Sequence, residues 1–207
     1  LRLADTIRAR GGMISTRHGP DGRDLPYELN VTYFDAVTEP GSRDTDLQVR
    51  RYLGTQALML ALRGIPAVYF SSLFGAGNDV AGAQQSGQAR RINRRKFSSD
   101  ELNTALDRPE SREARVLAGY RRLLAVRRTQ PAFHPDAPQQ VWPEVPAWLI
   151  AVLRTSLDGR QRILALVNVS GQEQSWEIPA DIGFHPAQEL ISGRTWPQAP
   201  SVQLAPY

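Results

Sequence analysis

Apolar residues in this chain cluster most tightly between Leu47 and Arg95. Val49, Leu53, Ala57, Leu60 and Ala61 recur at helical spacing, which predicts a helix ending near Arg63. The run Ala57-Leu58-Met59-Leu60-Ala61-Leu62 is apolar on every side, so burial all round is expected there. Gly64 stands where a C-terminal cap belongs, and Thr45 or Asp46 stands at the N-cap. Ile65-Pro66-Ala67-Val68-Tyr69-Phe70 is short and almost continuously apolar, the pattern of a central parallel strand. Pro66 suits such a strand only near its first residue. Together these predict an αβ unit, whose ligands lie beyond the C-terminal ends of strands. Chemistry is therefore expected in Ser71 to Arg95, a glycine- and arginine-rich stretch without clear periodicity.

Elsewhere the pattern is lighter. Residues 1–10 read as a helix ended by Gly11-Gly12, and Met13 to Arg17 as a strand. His18 to Asp24 carries Gly-Pro and Asp-Gly turn signals. Tyr27 to Phe34 is β-prone, Ser98 opens a short helix, and Pro109-Glu110-Ser111 opens a longer one that Pro131 stops. From about residue 138 prolines multiply and short β-prone runs follow: 148–153, 162–169, 174–178, 188–191 and 202–204. Asp158-Gly159 marks a hairpin between two of them. These runs predict a small antiparallel β domain.

Composition narrows the chemistry. With 41% hydrophobic and 22% charged residues among 207, a packed core is attainable. There is no cysteine, so disulfides and thiolate metal sites are excluded. His18, His134 and His185 are too far apart for ligand spacing, and no metal site is expected. No apolar run approaches the roughly 20 residues that span a bilayer. Of 25 basic residues only Lys96 is lysine, and the formal charge is +4. The start at Leu1, inside a helical pattern, and the stop after a strand-like run make the chain read as a fragment.

Five basic side chains fall within Arg90-Arg91-Ile92-Asn93-Arg94-Arg95-Lys96. They are open to three readings: a nucleic-acid patch, a solvated charge run, or arginines at a barrel mouth that meet hydroxyls or an anion. Phe97 is the one close aromatic, which is thin support for the first.

Four segments, Pro26-Tyr27-Glu28-Leu29-Asn30-Val31-Thr32-Tyr33-Phe34-Asp35-Ala36, Gly64-Ile65-Pro66-Ala67-Val68-Tyr69, Leu73-Phe74-Gly75-Ala76-Gly77-Asn78-Asp79 and Ala89-Arg90-Arg91-Ile92-Asn93-Arg94, occur in this order. With Leu190-Ile191-Ser192-Gly193-Arg194 near the end, they make the chain resemble the C-terminal part of the sucrose phosphorylase group of the α-amylase superfamily. The resemblance implies an α/β fold, the C-terminal part of a TIM (β/α)8 barrel followed by a small antiparallel β domain. On that reading residues 1–44 are an excursion between the seventh strand and its helix. Residues 45–137 are the last barrel units, and 138–207 the β domain. The implied activity is retaining transfer of glucose between an α-glucoside and inorganic phosphate, giving α-glucose 1-phosphate with no cofactor, in the cytoplasm. Nucleic acid and membrane are not expected partners.

The resemblance aligns Arg90 with the arginine that holds the glucosyl unit, against the alternative of a salt bridge within its own loop, for instance to Asp79. It aligns Tyr27 and Glu28 with a mobile loop on the acceptor side, Glu28 being alternatively a surface charge on a β-edge. The family's nucleophile, acid/base and stabilising carboxylates have no counterparts in this sequence, so no catalytic residue is assigned. The basic loop with Arg17, His18 and Arg23 suggests an anionic acceptor, glycerate or a sugar phosphate, or else a solvated turn. Hydrolysis in the same superfamily remains an alternative. So does a non-catalytic carbohydrate-binding β domain using Trp142, Trp148, Trp176 and Trp196.

Overall fold

The computed structural model describes residues 2–182, 187–196 and 201–207. The chain divides into two compact units, residues 1–52 with 68–118, and residues 53–67 with 119–207.

The first unit opens with helix α1 (Arg2–Ala9), which buries Ala4 and Ile7. Gly11, at φ +74, ends it. An antiparallel hairpin follows, β1 (Met13–His18) with β2 (Asp24–Asn30). Its register shifts between Ser15 and Thr16: Ser15 faces Glu28 and Thr16 faces Pro26, so Tyr27 is the extra residue of a β-bulge. The β-prone run from Tyr27 was expected to reach Phe34, but it stops at Asn30. Thr32 instead caps the short helix α2 (Tyr33–Val37), its hydroxyl accepting from the Asp35 N–H. A side-chain cap offers this backbone an alternative to the ladder, and here it prevails.

Helix α3 (Thr45–Ala61) begins one residue earlier than expected. Its cap is Asp44, whose carboxylate accepts the Leu47 N–H at 2.9 Å, rather than Thr45 or Asp46. Gly64, at φ +107, follows its end. Burial of the apolar run is partial: Leu60 and Ala61 are buried, while Leu62 is exposed.

The strand expected over 65–70 is not formed. Residues 65–69 have no ladder partners, Tyr69 has extended dihedrals, and Phe70–Phe74 is a 3₁₀ turn ended by Gly75 at φ +57. Ile65, Ala67 and Tyr69 are exposed while Pro66 and Val68 are half-buried, the period-two alternation of a strand. The local geometry follows the sequence, but a strand also requires a neighbour to bond with. Among the described residues every strand pairing is antiparallel.

The stretch expected to lack structure holds α4 (Val80–Ser86) and a 3₁₀ turn at Ala89–Asn93. Helix α5 (Ser99–Leu106) starts as anticipated, with Ser98 accepting the Glu101 N–H. Helix α6 (Arg112–Thr129) ends just before Pro131.

In the second unit β3 (Gln139–Val141), β4 (Leu149–Thr155) and β5 (Arg162–Asn168) form one antiparallel sheet. Gly159, at φ +71, makes the expected hairpin turn. Strand β6 (Gln174–Glu177) pairs with β9 (Ser201–Leu204), and β7 (Ala187–Gln188) with β8 (Thr195–Trp196). The run 188–191 was expected to be a strand, but it turns after Gln188. Glu189 accepts the Ile191 and Ser192 N–H groups at 2.7 and 2.5 Å, folding residues 189–193 into the turn. Leu149, Ala151, Trp176, Ile182 and Val202 form the core, with Trp142 and Trp148 packed against it.

Candidate functional site

The residues singled out by sequence converge in the first unit, and the hairpin does most of the gathering. Because Tyr27 is the bulged residue, the strict alternation of faces breaks between Tyr27 and Glu28. Both then act on Arg90: Glu28 Oε2 accepts from Arg90 Nε at 2.8 Å, and Tyr27 adds a weaker electrostatic influence. The Glu28 hydrogen bond and charge, with a smaller contribution from Tyr27, raise the Arg90 pKa above its ordinary value. The pair is open to solvent, with 53% of the Arg90 side chain and 34% of Glu28 exposed. Arg17, on the facing strand, lies over the Tyr27 ring at 5.6 Å.

The hairpin tip is charge-matched. His18 Nδ1 lies 2.6 Å from an Asp24 carboxylate oxygen, and Arg23 Nε lies 3.6 Å from Asp21. Two of the three basic side chains in this loop therefore face a carboxylate already. Arg17 belongs with Tyr27, Glu28 and Arg90.

Arg90 is held in place from below. Ile92 in the same 3₁₀ turn is fully buried, and its carbonyl accepts the Asp79 N–H at 2.7 Å. The alternative pairing of Arg90 with Asp79 does not occur. Asp79 instead caps α4 through the Gly82 N–H at 2.9 Å and faces Arg91 at 3.6 Å. Arg95 pairs with Glu101 and lies over the Phe97 ring. Three arginines of the basic run thus have carboxylate partners, which dilutes it as a polyanion patch.

Asn78 is the residue the sequence reading passed over, although it lies within a quoted motif. Its side-chain oxygen accepts the Thr32 N–H at 2.8 Å, and its amide donates to the Arg10 carbonyl at 3.3 Å. Its backbone N–H donates to Asp35 at 2.7 Å. One side chain and one peptide group thus tie the end of α1 and the start of α2 to the segment leading to Arg90. An Asn-Asp pair between a glycine turn and a helix start was the available signal, but partners 43 to 68 positions away are not visible locally.

The carboxylates near this surface are all engaged. Asp21, Glu28 and Asp79 face arginines, Asp24 faces the His18 imidazole, and Asp35 accepts from Asn78. No group of three or more metal-ligating acidic or histidine side chains occurs among the described residues. A cavity of about 540 Å³ is lined by Thr32, Tyr33, Tyr52, Tyr69, Asn93 and Arg94 among others, mixing three tyrosine rings with polar groups. A second, of about 410 Å³, is lined by Arg10, Asp35, Gln48 and Arg112 among others and contains none of the anticipated residues. Trp176 is buried, and Trp142 and Trp148 pack on the β core, so these three rings fill the interior. The side chain of Trp196 and all of His185 lie outside the described residues.

No protein-family model matches the chain. It is 42% identical over 185 residues to a glucosylglycerate phosphorylase of Allomeiothermus silvanus, covering 89% of this chain and 31% of that protein. It is 38% identical over 198 residues to a glucosylglycerate phosphorylase of Spirochaeta thermophila, covering 93% of this chain and 33% of that protein. Among solved structures it is similar to sucrose 6F-phosphate phosphorylase from Thermoanaerobacter thermosaccharolyticum. The TM-score is 0.52 at 21% identity, over 81% of this chain and 33% of that one, a likeness of fold alone. The chain spans about a third of the length of the curated relatives it matches. Over that span, the chain belongs to the sucrose phosphorylase group.

Proposed function

We propose that this chain is the C-terminal part of a retaining α-glucoside phosphorylase, with glycerate as the acceptor. The parent would exchange glucose between a glucosylglycerate-type α-glucoside and inorganic phosphate. The observation that carries the reading is the convergence of Tyr27, Glu28 and Arg90, from two segments 62 positions apart, on one open surface. Identity to glucosylglycerate phosphorylases supports the choice of acceptor.

In this reading Arg90 holds hydroxyls of the glucosyl unit, and Tyr27 and Glu28 shape the acceptor side. Arg17 meets the acceptor carboxylate, because Asp24 and Asp21 already face His18 and Arg23. Retention requires a carboxylate nucleophile and a carboxylic acid roughly 5–5.5 Å apart. The engaged carboxylates here do not offer that pair, so both belong to the rest of the parent. The fold that goes with this is the end of a (β/α)8 barrel, with the segment 65–69 as a barrel strand and 138–207 as the β domain. A cytoplasmic location belongs to the same proposal, and no metal or organic cofactor is invoked.

The test is phosphate release from α-glucose 1-phosphate by the full-length parent, with glycerate, glycerol, fructose and fructose 6-phosphate offered separately. Release with glycerate is expected. Release with fructose or glycerol alone would keep the phosphorylase and discard the anionic acceptor. Arg17→Ala should raise the KM for glycerate about tenfold, the scale of one charged hydrogen bond. Arg23→Ala should change it little, and an equal effect on phosphate would remove Arg17 from the acceptor site.

A further inference from the structure

Glu28 occupies one donor of Arg90 and leaves the guanidinium's outer edge open. A guanidinium carries five N–H donors in a rigid fork, and the 2.8 Å contact to Glu28 uses the one on Nε. The Nη groups remain available to oxygen ligands, on a side chain that is half exposed. The charge is another matter: Glu28 cancels it at contact distance. Arg91, the neighbouring cation, is turned to Asp79, and Arg17 lies over the Tyr27 ring.

We infer that Glu28 is a specificity-determining residue that lowers the affinity of Arg90 for free anions while leaving it able to bind neutral hydroxyls. The inference rests on the assignment of Arg90 to a binding role above. A hydroxyl accepts from Nη without meeting opposition from Glu28. A phosphate at the same edge lies within a few ångströms of the carboxylate and loses much of the attraction that an unpaired arginine offers. The device has a physical purpose in an enzyme that handles glucose and phosphate together, since it keeps phosphate from occupying the hydroxyl-binding arginine. The bulge at Tyr27 is what makes the arrangement possible, by breaking the alternation that would direct Tyr27 and Glu28 to opposite faces.

The test is Glu28→Gln in the full-length protein. The amide oxygen still accepts from Arg90 Nε, so geometry is kept and only charge is removed. Calorimetric titration with inorganic phosphate is expected to show binding about fivefold tighter than in the wild type, the upper scale for an exposed ion pair. Titration with glucose should be unchanged. The gain should vanish in Glu28→Gln combined with Arg90→Met, measured against Arg90→Met alone. Equal or weaker phosphate binding in Glu28→Gln overturns the inference, as does a gain that survives loss of Arg90. An equal gain for glucose, or no phosphate binding to either protein, overturns it too. Phosphate binding that behaves as expected in a protein without phosphorolysis would sink the proposed reaction and leave the role of Glu28 standing.

Discussion

Arg154 is a fully buried arginine whose hydrogen bonds all go to the main chain. Its guanidinium donates to the carbonyls of Ala61 at 2.7 Å, His134 at 2.8 Å and Ala137 at 3.3 Å, with Nε near the Pro138 carbonyl at 3.4 Å. Arg127 adds bonds to the Leu60 and Gly64 carbonyls, so two cations meet the carbonyl-rich end of α3. Both lie over the Phe133 ring. Burial lowers the pKa of each, and for Arg154 the neighbouring Arg127 and Arg63 add to the effect. Arg154→Ala would leave several carbonyls buried and unpaired, at about 1–3 kcal/mol apiece. Denaturant unfolding of the full-length protein should show a loss of about 3–5 kcal/mol, with Arg154→Lys recovering under half. A lysine presents donors from one point and cannot span the separated acceptors. Nothing in the run Leu149 to Thr155 marks its arginine as interior: the alternation identifies a strand, and only the packing around it decides which charge is enclosed.

At the scale of elements, the segment that carries Arg90 is positioned by exchanges between distant turns. Caps with short spacing were legible in part: Ser98 accepts the Glu101 N–H as expected, whereas Gly64 lies past the end of α3 and its N–H donates to the Pro135 carbonyl rather than back to the helix. The Asn78 bridge is not local. It supplies an acceptor for Thr32 and a donor for Arg10, and without it the buried Thr32 N–H has no side-chain acceptor. Asn78→Ala is expected to cost about 2 kcal/mol. Amide exchange should localise the effect, with the Thr32 N–H accelerated well before those of the β4–β5 ladder. Uniform acceleration throughout the chain would contradict a local tie. The bulge at Tyr27 is a similar case. Pro26 removes a ladder donor and hints at an irregularity, but the extra residue is defined only by what Ser15 and Thr16 pair with.

For the whole molecule, acid should act first on groups whose carboxylates are held ionised by the fold. Burial alone would raise the Glu189 pKa, but hydrogen bonds from Ser192 and the Ile191 N–H, with the charge of Arg122, lower it overall. The Ser156 hydroxyl, followed by the Arg160 N–H, lowers that of Asp158. A depressed folded-state pKa means stability that is present above the unfolded value and lost as pH falls through the folded one. Unfolding midpoints should therefore hold at neutral pH and drop below about pH 4, and Glu189→Gln should flatten that dependence. A midpoint that rises on acidification would contradict the assignment. The sequence by itself determined helices α1, α3, α5 and α6, the hairpin at Asp158-Gly159 and the β character of the last third. These rest on periodicity and turn chemistry, which act over a few positions. Tertiary structure alone decided that Arg90 meets Glu28 rather than Asp79, that Arg154 is enclosed, and that 65–69 has a strand's alternation without a ladder. Those outcomes depend on which groups are available to pair across long separations, and no local pattern encodes that.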